Sequence, residues 1–188
     1  MALDKNELRA KIKKQRSVLD QQLWQEWSTQ INKRVIESKF YSQAQSLHCY
    51  VSMNERKEVD THSIINHSLD TGKTVFIPVM DTASNKLFHT EITDFNDLRA
   101  NDWGVLEPIN AVLKDQFFGD VIIIPLLAAD TKGNRLGYGK GYYDRFLATS
   151  EALKVGIVFD QFLVDRVPVE DHDIPLDIII TETQTINV

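Results

Sequence analysis

The sequence predicts an α/β fold of three layers, a Rossmann-like α/β/α arrangement with a mostly parallel central sheet, and we expect residues 1–188 to form a single domain. Short apolar runs such as Val121-Ile122-Ile123-Ile124 alternate along the chain with longer segments of helical periodicity. The segment 47–79 has the length of one strand-helix-strand crossover, which joins parallel strands with a right-handed connection. A composition of 43% hydrophobic and 26% charged residues is typical of a globular protein with a core.

The chain begins with two predicted helices. The first covers residues 4–17, with Asp4 as its N-cap and Glu7 three residues on, which is a capping-box pattern. Its basic residues recur at spacings of four, four and three: Lys5, Arg9, Lys13 and Arg16. Such a stripe is either a solvated helix face or, for Lys5 and Arg9, a pair that reaches into a site. The second helix covers residues 20–38, and we interpret its two tryptophans as core.

Six strands are predicted at residues 47–52, 73–79, 86–92, 120–125, 153–159 and 178–181. The third alternates only loosely and is expected at an edge of the sheet. Two further helices are expected, from residue 61 to 70 and from residue 140 to 150.

A glycine-rich segment follows the predicted strand 120–125. Four of the chain's eight glycines lie between Gly133 and Gly141, among several lysines and arginines. Glycines let a backbone approach an anion closely, a following helix directs its positive dipole end there, and basic side chains add full charges. The spacing matches neither the P-loop nor the dinucleotide pattern. The segment is therefore interpreted as a phosphate-binding loop of its own kind, with a purely structural turn as the alternative.

Three other loops contain candidate binding residues. The polar loop 53–61 follows a strand, where parallel sheets bind ligands, although it could be a plain exposed turn. Trp103 offers a flat face on which a ring could stack, with partial core packing as the alternative. Asp144 and Asp173 are candidate Mg²⁺ ligands, although a lone Asp is more often a cap or a surface charge.

Charge and cysteine content limit the partners. A net charge of −6 argues against a general nucleic-acid binder. The single cysteine, Cys49, excludes a disulfide framework and favours a reducing compartment, so we expect a cytoplasmic protein without a membrane partner.

The stretch Asn134-Arg135-Leu136-Gly137-Tyr138-Gly139-Lys140-Gly141-Tyr142-Tyr143-Asp144 resembles the glycine-rich motif of the 5-formyltetrahydrofolate cyclo-ligase family, also called 5,10-methenyltetrahydrofolate synthetases. Three further segments fit that family in the same order: Lys5-x-x-x-Arg9, residues 53–61 and residues 167–177. The resemblance thus covers nearly the whole chain. It implies an ATP- and Mg²⁺-dependent ligase, which we expect to be a monomer, that converts 5-formyltetrahydrofolate, with or without a polyglutamate tail, to 5,10-methenyltetrahydrofolate, releasing ADP and phosphate.

The resemblance also assigns roles to residues. It implies that ATP is contacted by Lys5, Arg9, Arg135, Leu136, Gly137, Tyr138, Gly139, Lys140, Gly141, Tyr142 and Tyr143, with Arg135 and Lys140 as the catalytic charged donors. It implies Mg²⁺ ligation by Asp144 and Asp173. The folate is expected to contact Val51, Glu58, Trp103, Tyr138 and Tyr142. The loop 53–58 is about two residues longer than the family pattern, so Glu55 is the alternative carboxylate.

Two other functions are compatible with the same predicted fold. One is a phosphate or nucleotide sensor without catalysis, which would need no Mg²⁺ ligand. The other is a different ATP-dependent ligase or kinase, which would differ in the pocket formed by residues 51–58 and Trp103.

Overall fold

A computed structural model describes residues 3–84, 86–101 and 104–188. The helices are α1 (Lys5–Ser17), α2 (Gln21–Ile36), α3 (Lys39–Gln43), α4 (His62–Asp70) and α5 (Tyr142–Leu147). The strands are β1 (Ser46–Cys49), β2 (Thr74–Asp81), β3 (Lys86–Ile92), β4 (Leu98–Ala100), β5 (Leu106–Pro108), β6 (Val121–Ile124), β7 (Ala128–Ala129), β8 (Arg135–Leu136), β9 (Leu153–Ile157), β10 (Ile178–Ile180) and β11 (Thr185–Asn187). Short 3-10 turns occupy Asn54–Arg56, Phe95–Asp97 and Asp160–Phe162.

The central sheet has seven strands in the order β11-β10-β9-β6-β1-β2-β3. The five inner strands from β10 to β2 pair in parallel, and the edge strands β3 and β11 pair antiparallel. The predicted fold class and the parallel crossover from β1 to β2 are confirmed. Because β1 and β6 are parallel neighbours, the loops that follow them emerge at the same edge of the sheet.

The two faces of the sheet are covered by different helices. His48 of β1 and Phe76 of β2 are register partners, and both pack on the ring of Phe117. The His48 ring also packs on Phe146 of α5, with centroids 5.0 Å apart. Side chains of a strand alternate between faces, so Leu47 points to the opposite face. Of the other helices, α4 packs on β2, and α2 packs on both α4 and β10.

Several predicted boundaries differ from the structure. The predicted helix 140–150 begins only at Tyr142, because Gly141 has a φ of 68°, which is left-handed and cannot continue a right-handed helix. The first strand ends at Cys49 instead of residue 52. The small antiparallel pairs β4-β5 and β7-β8 and the strand β11 had no prediction, since segments of two or three residues show no measurable periodicity.

In the described part of the chain, none of the helices combines the length and apolarity needed to cross a bilayer. Cys49 is a free, buried thiol.

Candidate active site

Helix α1 lies along the glycine-rich segment. Asp4 caps the helix and exchanges hydrogen bonds with Glu7, which confirms the predicted capping box. One turn further, Arg9 Nε donates to the carbonyl oxygen of Gly137 at 3.0 Å. Gly139 has a φ of 94°, and a Cβ there would lie 3.1 Å from Arg9 Cζ. Glycine therefore allows both the left-handed backbone and the close approach of the arginine.

Lys5 joins α1 to the acidic loop near the C-terminus. Its Nζ lies 2.6 Å from Asp173 Oδ2 and 3.0 Å from Glu170 Oε2. Burial alone would lower the pKa of Lys5, but the hydrogen bonds and charges of these two carboxylates raise it above its usual value. Burial alone would likewise raise the pKa of Asp173, and its hydrogen bond with Lys5 brings it below the usual value. Both groups are therefore charged at neutral pH.

Arg135 forms a second ion pair at the other end of the glycine-rich segment. The β7-β8 hairpin positions its side chain, which is 3% exposed, and its Nη2 lies 2.5 Å from Asp144 Oδ1. The same oxygen accepts the backbone N–H of Ile174 at 3.3 Å. Asp144 therefore touches the residue that follows Asp173, and the two predicted Mg²⁺ ligands belong to adjoining parts of one site. The Nε of Arg135 is buried without a hydrogen-bond partner in the described structure.

Glu58 contacts the glycine-rich segment from the loop after β1. Its carboxylate accepts a hydrogen bond from the Tyr138 hydroxyl through Oε1 and from the Met53 backbone N–H at 2.8 Å through Oε2. Tyr138 in turn accepts a hydrogen bond from Arg16 Nη2 at 2.5 Å. Burial raises the pKa of Tyr138, and the nearby Glu58 charge adds to this, so its hydroxyl remains a donor.

The geometry favours Glu58 over Glu55 as the carboxylate of this loop. Glu58 is 7% exposed and is held by Tyr138 of the glycine-rich segment. Glu55 is exposed and lies in the 3-10 turn Asn54–Arg56. Of the two carboxylates, Glu58 is therefore the one that contacts the glycine-rich segment.

The other predicted site residues differ in exposure. Val51 is 8% exposed at the start of the same loop, and Leu136 is buried in β8. Lys140 is exposed. Tyr142 and Tyr143 open α5, and the Tyr143 hydroxyl is buried without a partner in the described residues. Trp103 lies outside the described residues.

Burial raises the pKa of Tyr143 well above its usual value, Cys49 and Glu58 add to this, and the Arg135 charge opposes it. The hydroxyl is thus a neutral donor without a partner in the described residues. A buried polar group without a partner is uncommon in a native interior, which favours a ligand as its partner.

The arrangement provides donors for an anion and oxygens for a hard cation. Lys5, Arg9 and the unused Nε of Arg135 suit phosphate oxygens. The carboxylates of Asp144 and Asp173 offer the oxygen ligands that Mg²⁺ prefers, and in this structure each is paired with a cation instead. The residues therefore fit a phosphate ligand accompanied by a divalent metal.

Two residues of this site had no predicted role. Glu170 is the second partner of Lys5, and sequence reasoning chose only one carboxylate from an acidic loop. Arg16 was part of the basic stripe without a role, although it is 5% exposed. Its spacing of four from Ile12 and eight from Leu8 was the available signal, because it places Arg16 on the apolar face of α1.

Comparison with known proteins gives one consistent result. The family model for the 5-formyltetrahydrofolate cyclo-ligase family matches residues 2–182. The chain is 33% identical over 184 residues to the 5-formyltetrahydrofolate cyclo-ligase of Escherichia coli, covering 92% of this chain and 97% of that protein. It is 27% identical over 191 residues to the mouse 5-formyltetrahydrofolate cyclo-ligase, covering 95% and 93%. The solved structure of Aquifex aeolicus 5,10-methenyltetrahydrofolate synthetase superposes with a TM-score of 0.85 at 27% identity, covering 97% of this chain and 92% of that one.

Proposed function

This chain belongs to the 5-formyltetrahydrofolate cyclo-ligase family, and from that premise we propose that it converts 5-formyltetrahydrofolate to 5,10-methenyltetrahydrofolate with ATP and Mg²⁺ as a cytoplasmic enzyme. The observation that carries the proposal is the set of charged contacts around one glycine-rich segment. Ion pairs between cations and metal-type carboxylates adjoin this segment, and its Tyr138 hydroxyl donates to the buried Glu58 carboxylate.

The proposed chemistry activates the formyl group with phosphate. The formyl carbonyl on N5 is amide-like and therefore a poor electrophile. Its oxygen attacks the γ-phosphorus of ATP, the bond to the ADP oxygen breaks, and N10 then attacks the activated carbon. The carbon–oxygen bond breaks, phosphate leaves with the former formyl oxygen, and N10 loses its proton. Alignment and charge stabilisation are the main tasks left to the protein.

The basic side chains hold the phosphates in this proposal. Arg135 and Lys140 stabilise the charge that develops during transfer, while Lys5 and Arg9 of α1 hold the nucleotide. Backbone N–H groups of residues 136–143 line the same anion. Asp144 and Asp173 would hold Mg²⁺, which would neutralise charge on the phosphate oxygens. Lys5 and Arg135, which pair with these two carboxylates, would also lie beside the phosphate and the metal.

The buried Glu58 suits the pterin end of the folate. Its carboxylate accepts hydrogen bonds from the pterin amino and ring N–H groups, and Val51, Tyr138 and Tyr142 line the pocket. Trp103, outside the described residues, is proposed to stack on the ring.

The test is to mix the protein with 5-formyltetrahydrofolate and Mg-ATP and to follow the absorbance of the methenyl product. We expect product formation that depends on all three components, with one ADP and one phosphate released per turnover. A folded protein that binds Mg-ATP and forms no product would refute the proposal and favour a nucleotide sensor.

A further inference from the structure

Arg16 occupies a position on α1 where an apolar residue is expected. Leu8, Ile12 and Arg16 follow one another at spacings of four and are 5%, 2% and 5% exposed. An arginine is rarely buried so deeply unless a negative charge and hydrogen-bond acceptors compensate for its lost hydration.

The compensating groups belong to the site. Arg16 Nη2 donates to the Tyr138 hydroxyl at 2.5 Å and lies 4.0 Å from Glu58 Oε1. The Tyr138 hydroxyl donates to the same Glu58 oxygen. Arg16, Tyr138 and Glu58 therefore form a continuous chain, which connects the first helix, the glycine-rich segment and the loop after β1.

These contacts leave the Glu58 carboxylate able to bind a ligand. A carboxylate has about four acceptor positions, and the protein uses one on each oxygen, for Tyr138 and for the Met53 N–H. The backbone of Glu58 is also anchored, because its carbonyl accepts the Trp24 indole N–H at 2.6 Å. The carboxylate is therefore held in one orientation with acceptor positions still available.

We propose that Arg16 is a positioning residue for folate binding, which neutralises the buried Glu58 carboxylate and directs it, through the Tyr138 hydroxyl, toward the pterin. The proposal rests on the function proposed above and adds a residue that acts through two others. A buried carboxylate without a cation is expensive to keep ionised, whereas its paired form costs less.

Lys13 provides a matched control on the same helix. Its Nζ lies 5.7 Å from the centre of the Tyr138 ring, and Arg16 Cζ lies 5.5 Å from it. Lys13 is exposed and has no ion pair with Glu58 in the described structure. Lys13→Met therefore removes one positive charge near Tyr138 without changing the chain of contacts to Glu58.

The experiment compares Arg16→Met, Arg16→Lys and Lys13→Met. Calorimetry measures the Kd of 5-formyltetrahydrofolate without ATP and of Mg-ATP without folate, and the absorbance assay gives both KM values. We expect Arg16→Met to raise the Kd and KM of the folate about tenfold or more, as for a lost hydrogen bond to a charged group. The values for ATP should change by less than about twofold, and Lys13→Met should change neither substrate by more than this.

Arg16→Lys covers the case in which Arg16→Met does not fold. It keeps the charge but loses the planar donor geometry, so we expect a smaller rise in the folate Kd, about threefold, with ATP binding unchanged. Unchanged folate binding in a folded Arg16 variant, or equal weakening of folate and ATP, would overturn the proposal. Failure of the wild-type protein to bind folate would instead defeat the proposed function itself.

Discussion

Arg135 and Lys140 are proposed to share one task, but the structure predicts that their replacement affects stability differently. Arg135 is 3% exposed and paired with Asp144 at 2.5 Å, whereas Lys140 is exposed. We expect Arg135→Met to lower both turnover and stability, and Lys140→Met to lower turnover while leaving the melting temperature close to that of the wild type.

The magnitude follows from the burial of the ion pair. Removing one member of a buried pair costs about 3–5 kcal/mol of the free energy of unfolding, and the 15% exposure of Asp144 favours the lower end. In a protein of 188 residues, about 3 kcal/mol corresponds to a loss of about 6–12 °C in melting temperature. Loss of a donor to the transferred phosphate lowers kcat by about 10²–10³-fold.

Scanning calorimetry measures the first effect, and the methenyl absorbance assay measures the second. The double variant Arg135→Met/Asp144→Asn serves as the control, because it removes the uncompensated carboxylate. It should recover part of the lost melting temperature but none of the turnover. An Arg135→Met protein as stable as the wild type would refute the reasoning, because the ion pair would then contribute nothing to the fold.

Three further changes test other parts of the site and the core. Lys5→Met should raise the KM for ATP by about tenfold and leave the KM for folate nearly unchanged, since a charged contact to phosphate is lost. Gly139→Ala should lower the melting temperature and the affinity for ATP more than Gly72→Ala, because both residues have positive φ (94° and 77°) but a Cβ meets other atoms within 4 Å only at Gly139 of this pair. Replacing His48 and His89 together by leucine should reduce the loss of stability in urea unfolding between pH 7 and pH 5. Burial lowers the pKa of His89 to about 4. As the pH falls from 7 to 5, the unfolded chain therefore binds a proton that the folded protein does not, and the free energy of unfolding decreases by about 2 kcal/mol from this residue.

A specific outcome would contradict each of these three predictions. An ATP KM unaffected by Lys5→Met would remove α1 from the nucleotide site. Equal effects at Gly139 and Gly72 would mean that backbone strain alone acts and that the approach of Arg9 is unimportant. An unchanged pH dependence in the double histidine variant would mean that His48 and His89 are accessible to protons in the folded state.

The local features of the chain were predictable because they depend on neighbouring residues. The apolar run Val121–Ile124 became the buried strand β6, and Asp4 became the cap of α1. The crossover between β1 and β2 followed from element lengths and the usual handedness. The glycine-rich segment was recognised as a motif, and its family membership is confirmed.

The partners of the charged residues became known only from the tertiary structure. The basic stripe of α1 was visible in the sequence, but its members have different partners. Lys5 pairs with Asp173 of the acidic loop, Arg9 donates to the Gly137 carbonyl, and Arg16 donates to the Tyr138 hydroxyl. Likewise, nothing local distinguishes Glu58 from Glu55.

The sequence by itself determined the order of the longer strands and helices, the glycine-rich motif and the family, because periodicity, capping and motif spacing act between residues a few positions apart. Only the tertiary structure decided that Arg16, Tyr138 and Glu58 form one chain of contacts. The physical reason is that β1 and β6 are adjacent parallel strands, so the loops after them meet at one edge of the sheet, against a helix from the start of the chain.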